Sequence, residues 1–120
     1  MTTTEAKEQT DSQPSTDEPI HVHGQDDLDA LAAEHDVVLA DFYADWCGPC
    51  KALEPIVANI AADTETVVAK VDVDENQELA AEYGVRGVPT MALFAGGEMA
   101  ERLVGLRDED TLRQLIDQHK

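Results

Sequence analysis

Basic residues are scarce in this chain. Eight Lys and Arg stand against 26 Asp and Glu over 120 residues, a formal charge of −18. A protein that holds nucleic acid needs a basic stripe to neutralise phosphates, so that class is excluded, and so is docking on anionic lipid. Long apolar runs are missing as well. Nothing approaches the ~20 residues that span a bilayer, so no membrane association is expected. The segment Met1 to Thr10 carries no apolar stretch of the ~7–15 residues found in a secretory signal, which makes a cytoplasmic location the expectation. Cysteine is limited to two residues, too few for a disulfide-stapled scaffold or a four-thiolate zinc site.

What is abundant is acid. Only four lysines (Lys7, Lys51, Lys70, Lys120) accompany 14 Asp and 12 Glu. General solubility explains such a surface, and so does adaptation to high salt, where carboxylate self-repulsion is screened over short distances. The low lysine content resembles the usage of salt-accumulating halophiles. A length of 120 residues suits one domain. Residues 1–19 are mostly Thr, Ser, Gln, Asp, Glu and Pro. They hold too little apolar surface to offset their ordering entropy, so they read as a disordered acidic tail before a domain over 20–120.

Within that domain the apolar pattern switches between strand and helix periods. Ile20-His21-Val22-His23 alternates as a short strand. Asp26 or Asp27 is placed to cap a helix that turns Leu28, Leu31 and Ala32 inward. Val37 to Tyr43 is a nearly continuous apolar run, the mark of a strand covered on both faces. Leu53, Ile56, Val57 and Ile60 form one helical stripe, with Pro55 inside the helix to bend it. Val67 to Val73 reads as the next strand and Gln77 to Tyr83 as a weak helix, after which Gly84 and Gly87 break the chain. Thr90 to Phe94 and Glu98 to Val104 flank Ala95-Gly96-Gly97, whose glycines supply the positive φ of a tight hairpin. Asp108 caps a last helix with Leu112, Leu115 and Ile116 inward. The order β-α-β-α-β-α-β-β-α predicts an α/β fold, a mixed sheet with helices on both faces.

Trp46-Cys47-Gly48-Pro49-Cys50-Lys51 falls between the buried strand and the bent helix. A CxxC pair in that context is a specific signal for thiol chemistry. Cys47 lies at a helix N-terminus, where unpaired N–H groups and the helix dipole favour a thiolate, the attacking species in disulfide exchange. Cys50, one turn on, is close enough to attack a mixed disulfide and release a reduced substrate. Pro49 stiffens the turn and has no N–H to leave unsatisfied. Half of a zinc site is the competing explanation, but His21, His23, His35 and His119 lack finger spacing. A pair of inert buried thiols is disfavoured because Gly48 and Pro49 expose the turn. No metal is expected. Asp41 interrupts the apolar strand before the pair, and a carboxylate buried there has its pKa raised by desolvation. It can take a proton for Cys50, through water, when a mixed disulfide resolves. Two other patterns fail. Asp72-x-Asp74-x-Asn76 opens like a calcium loop, but Gln77 replaces its glycine and Tyr83 stands where the bidentate glutamate belongs. Gly84 and Gly87 precede no Gly-Lys-Ser/Thr and form no phosphate cradle.

The segment Asp41-Phe42-Tyr43-Ala44-Asp45-Trp46-Cys47-Gly48-Pro49-Cys50-Lys51 resembles the active-site segment of the thioredoxin family. The resemblance continues through Pro55, Lys70, Gly84-Val85-Arg86-Gly87-Val88-Pro89-Thr90, the Gly96-Gly97-Glu98 hairpin and Gly105, and covers about residues 20–120. It implies a thioredoxin fold with a five-stranded mixed sheet, and a protein-disulfide reductase acting as a dithiol electron carrier. The redox disulfide would join Cys47, the nucleophile, to Cys50, the resolving thiol. Lys70 would pair with Asp41. Val88-Pro89-Thr90 would be a cis-proline loop whose backbone receives the substrate chain as an added strand. Trp46, Gly48, Pro49, Gly87, Val88, Pro89 and Gly105 would form the substrate-facing surface, the glycines keeping it low. Electrons would come from a thioredoxin reductase drawing on NADPH or another donor, since the chain shows no cofactor motif of its own. The expected partners are that reductase and disulfide-containing proteins, with the chain a monomer. Tyr43 departs from the family pattern, standing where many members carry a second tryptophan. A binding module that merely retains the fold is the rival function. A disulfide donor is another, though oxidants of this fold tend to place histidine between the cysteines.

Overall fold

The computed structural model describes residues 16–120, and its organising element is β2 (Val37–Tyr43), all seven of whose residues are buried. β3 (Val67–Asp72) lies parallel to it on one side and β4 (Thr90–Ala95) antiparallel on the other. The short β1 (Ile20–His21) extends the sheet beyond β3, and β5 (Glu98–Val104) forms the opposite edge, giving the order β1-β3-β2-β4-β5. This is the mixed five-stranded sheet that the alternation of elements predicts. The tail expected over 1–19 lies largely outside the described residues; of that stretch, Thr16 to Glu18 form an exposed bend.

Side chains alternate across a strand, so each strand of the sheet's centre feeds two cores. Val38, Ala40 and Phe42 of β2 join Val67, Ala69 and Val71 of β3 on one face. Leu28 and Leu31 of α1 (Gln25–Glu34) and Leu79 of α3 (Gln77–Glu82) cover that face. Val37 and Leu39 join Val68, Met91 and Leu93 on the other, under Leu53, Val57 and Ile60 of α2 (Gly48–Asp63) and Leu112 and Ile116 of α4 (Glu109–Asp117). Odd positions of β2 therefore face α2, and Asp41 is one of them.

Local chemistry explains most element ends. Asp108 caps α4 by accepting the Thr111 N–H at 2.8 Å. Gly96 and Gly97 both adopt positive φ, 63° and 89°, as the hairpin between β4 and β5 requires. Leu115 is half-buried rather than fully inward. The cap of α1 and the length of β1 differ from expectation. Neither Asp26 nor Asp27 caps α1; its N-cap is Gly24, with both acids inside the first turn, where they face the helix dipole. The Asp27 carboxylate instead accepts the His23 N–H at 2.9 Å. The chain turns at Gly24, with φ 96°; β1 ends at His21, and the Val22 N–H continues the ladder, to the Lys70 carbonyl. α2 runs unbroken across Pro55, which offers no N–H to the carbonyl one turn back.

The connection after β1 is held by a buried side chain that the sequence pattern does not mark. Asn76 accepts the Gly24 N–H at 2.8 Å and donates to the carbonyls of Asp72 and Val22. Replacing it by alanine strands buried backbone groups, so Asn76→Ala is expected to lower stability by about 2–3 kcal/mol. A lower urea midpoint with an unchanged slope is the check.

Candidate functional site

The chain leaves the C-terminal end of the central strand β2, where Ala44 to Trp46 form the connection into α2. The Cys47 N–H donates to the Ala44 carbonyl at 3.2 Å, closing that turn. Cys47 is then the N-cap of α2, and its Sγ accepts the Cys50 N–H at 3.1 Å, the role an Asp or Ser oxygen plays at other helix starts. Pro49 occupies the first turn, where a missing N–H does no harm. Cys47 and Cys50 are joined as a disulfide with Cα atoms 5.3 Å apart. Gly48 and Pro49 stand exposed between them. Cys47 keeps 5% of its surface open and Cys50 only 1%, so an incoming sulfur has its access at Cys47.

The loop before β4 faces the pair. Its Val88–Pro89 peptide is cis, as the resemblance implied, and the Val88 carbonyl lies 3.7 Å from Cys47 Sγ. Two bonds fix the loop. Thr90 Oγ1 donates to the Gly87 carbonyl at 2.6 Å, and the Gly105 N–H donates to the Pro89 carbonyl at 2.8 Å. Gly105 has φ +97°, a conformation other residues rarely adopt, so the glycine is set by backbone geometry. A Cβ at Gly87 would meet nothing within 4 Å; a side chain there would simply rise from the surface. Trp46 is 71% exposed. Its Nε1 donates to Asp74 at 3.0 Å, which pins the indole beside the cysteines.

The structure thus brings together Trp46, Cys47, Gly48, Pro49, Cys50, Val88 and Pro89. Gly87 and Gly105 lie at the borders of the same surface. Sequence reasoning missed others. Val73, Val85 and Arg86 complete a shallow cleft of about 130 Å3 with Trp46, Gly87 and Val88. Val104 and Leu106 expose apolar surface on either side of Gly105. Asp74 belongs to the acidic run Asp72-Val73-Asp74-Glu75, which reads as a solvated turn and fails as a calcium loop. Val85, half-buried between Gly84 and Gly87, has only the flanking glycines as a local signal, while the Trp46–Asp74 contact spans 28 residues and has no local mark.

Behind the pair, Asp41 and Lys70 are register partners on the parallel strands β2 and β3, facing α2 together. Lys70 Nζ lies 3.2 Å from the Asp41 carboxylate, and both side chains are buried. Neither Asp41 oxygen accepts a well-aligned hydrogen bond among the described residues. Burial pushes the Asp41 pKa above the ordinary carboxylate value, Lys70 opposes that rise, and the Glu54 charge adds to it. Lys70 also sits 4.2 Å from the centre of the Tyr43 ring, a cation–π contact. A carboxylate with raised proton affinity behind a cysteine pair is equipped to take and return a proton. Among the described residues no group of three or more His, Cys, Asp or Glu is placed to hold a metal, and no helix is long and apolar enough to cross a membrane.

Comparison with known proteins agrees with this geometry. The family described as Thioredoxin matches residues 19–118. The thioredoxin of Chlamydia muridarum is 41% identical over 103 residues, covering 84% of this chain and 99% of that one. The thioredoxin of Bacillus subtilis is 42% identical over 85 residues, covering 69% and 82%. Among solved structures, a thioredoxin variant from Halobacterium salinarum superposes with a TM-score of 0.86 at 60% identity, covering 89% of this chain and 95% of that one.

The raised Asp41 pKa carries a stability consequence. Between its unfolded and folded pKa the folded chain holds more protons, so stability falls as pH rises through that window. Asparagine mimics the protonated carboxyl. Asp41→Asn is therefore expected to be more stable than the parent at neutral pH and indistinguishable from it at a pH below the unfolded Asp value of about 3.9. Urea midpoints at the two pH values make the comparison.

Proposed function

The chain belongs to the thioredoxin family, and from that premise we propose how its residues divide the work of a thiol–disulfide oxidoreductase. It is a protein-disulfide reductase, a dithiol carrier that works through exchange with foreign disulfides. In our reading Cys47, as thiolate, attacks one sulfur of a substrate disulfide. That S–S bond breaks, a mixed disulfide forms, and the other substrate sulfur leaves as a thiol after taking a proton. Cys50 then gives its proton to Asp41 and attacks Cys47 Sγ. The Cys47–Cys50 bond forms, the mixed disulfide breaks, and the second substrate thiol is freed. Two electrons have passed to the substrate.

The observation that carries this reading is the Cys50 N–H held 3.1 Å from Cys47 Sγ at the start of α2. A donor and a helix dipole aimed at that atom favour its charged form once the pair is reduced. Lys70 restrains the proton affinity of Asp41, keeping the carboxyl able to release what it takes. The substrate chain lies along Val88 and Pro89 with Trp46, Gly48, Pro49, Gly87 and Gly105 around it. Backbone pairing of that kind tolerates many sequences, which suits a general reductant.

Members of the family are returned to the dithiol state by thioredoxin reductase, and we assign the same partner here, with NADPH or another donor behind it. We read the protein as a cytoplasmic monomer adapted to salt. The charge of −18 and the 60% identity to a Halobacterium protein support the last point.

Insulin reduction by dithiothreitol tests the core of this reading. Cys47→Ser is expected to lose all catalysis of insulin precipitation, while Cys50→Ser accumulates a mixed disulfide visible by mass. Retained activity in Cys47→Ser would overturn the carrier mechanism in favour of a binding role. For salt adaptation, the thermal midpoint is expected to rise from ~0.1 M to molar KCl as carboxylate repulsion is screened; a flat or falling curve refutes it.

A further inference from the structure

Asp41 has no exposed surface, yet a base that turns over must exchange its proton with solvent. Among the described residues the structure offers a side from which it can do so. A cleft of about 460 Å3 opens between the start of β1 and α2, and Lys70, the ion-pair partner of Asp41, lines it. The groups facing this space are Glu18 and His21 from the β1 side, Tyr43 and Asp45 from β2 and its end, Glu54 from α2, and Lys70 from β3. β4 sets Met91 against Asp41 in register and adds no titratable group there. The Lys51 ammonium is engaged elsewhere, donating to the Asp45 carbonyl at 2.6 Å.

Glu54 has a particular place in this arrangement. It follows Cys50 by four residues on α2 and so lies on the same helix face. Cys50 is buried there while Glu54 is exposed. The helix thus carries the proton donor of the resolving step and a solvent-side carboxylate on one stripe, with the Asp41–Lys70 pair across from them. No part of the thiol chemistry uses Glu54, and Ala or Gln would fit an exposed helical position equally well.

We propose that this cleft is the path by which Asp41 exchanges its proton with solvent, and that Glu54 is a positioning residue whose negative charge sets the pH at which Asp41 takes that proton from Cys50. The inference rests on the reading of Asp41 as proton acceptor. In the resolving step the proton passes from Cys50 Sγ to the Asp41 carboxylate, the new Cys47–Cys50 bond forms, and Asp41 then releases the proton past Lys70 into the cleft. A like charge on the cleft wall holds the proton on Asp41 more firmly, and Lys70 limits the effect. Because Glu54 meets solvent, its influence depends on ionic strength.

The experiment compares Glu54→Gln, Glu54→Lys and Glu54→Asp with the parent and with Asp41→Asn, over the salt range in which far-UV circular dichroism is unchanged. Two readouts are taken: the 13C titration of the Asp41 carboxyl, and the pH profile of the single-turnover resolving rate. Glu54→Gln is expected to move the Asp41 midpoint to lower pH, Glu54→Lys further in the same direction, and Glu54→Asp little. On the acid limb, resolution in Glu54→Gln should be faster by about twofold to threefold at low salt, with the plateau unchanged, and the gain should shrink as salt rises. An Asp41 midpoint unmoved by Gln and Lys overturns the inference, and so does a loss of rate at every pH, which marks a structural role. If Asp41→Asn abolishes the acid limb, the proton-acceptor reading stands by itself, and an unmoved midpoint overturns this inference without touching that reading. An acid limb that survives Asp41→Asn overturns both.

Discussion

The carboxylate of Asp41 is shut away from water because β2 is covered by helices on both faces, and its charge is met by Lys70 one strand over. Much at the cysteine end of the molecule follows from that constraint. A strand fully covered by α1 and α3 on one face and by α2 and α4 on the other must run its odd residues under α2. Asp41 therefore points beneath the helix that begins with Cys47. The parallel register of β2 and β3 then places Lys70 directly alongside it. A charge in such a place is destabilising unless paired, and pairing only partly offsets the lost hydration. The fold accepts this cost at the position where the proposed chemistry places a proton acceptor in the interior.

The reactive sulfur is held by a different device, the polarity of a helix start. Cys47 replaces an oxygen cap with sulfur, so the N–H of Cys50 and the dipole of α2 converge on the atom proposed to carry charge in the reduced pair. Around it the surface is apolar and low: Pro49, Val88, the cleft beside Trp46, and Val104 and Leu106 flanking Gly105. Acidic residues crowd the rest of the molecule. The contrast suits a carrier that meets protein chains at one face.

Legibility in the sequence followed the range of the interaction. The CxxC pair, the hairpin glycines, the Asp108 cap and the double-sided burial of β2 rest on neighbours a few residues apart, and their periodicity or type announces them. The alternation of elements was enough for an α/β sheet with helices on both faces. Where local signals competed, reading failed. Asp27 looked like a helix cap but bonds the His23 N–H, because the chain turns before α1 in a way that only Gly24 allows. The bonds of Asn76 to Val22 and Gly24 cross more than fifty residues and leave no pattern in its own segment.

By itself, then, the order of side chains determined which atoms can do chemistry: two sulfurs at helical spacing, one acid inside an apolar strand, and a proline among glycines. Those are properties of residue type and near-neighbour geometry, and no tertiary contact is needed to read them. Their mutual placement was decided by the packed sheet. The pairing of Asp41 with Lys70, the approach of the Val88 carbonyl to Cys47, the Asp74 bond that pins Trp46, and the cleft that brings Glu54 beside Lys70 all depend on strand register and helix docking. Such contacts join residues far apart along the chain, and only the burial of two continuous cores against one sheet selects their geometry.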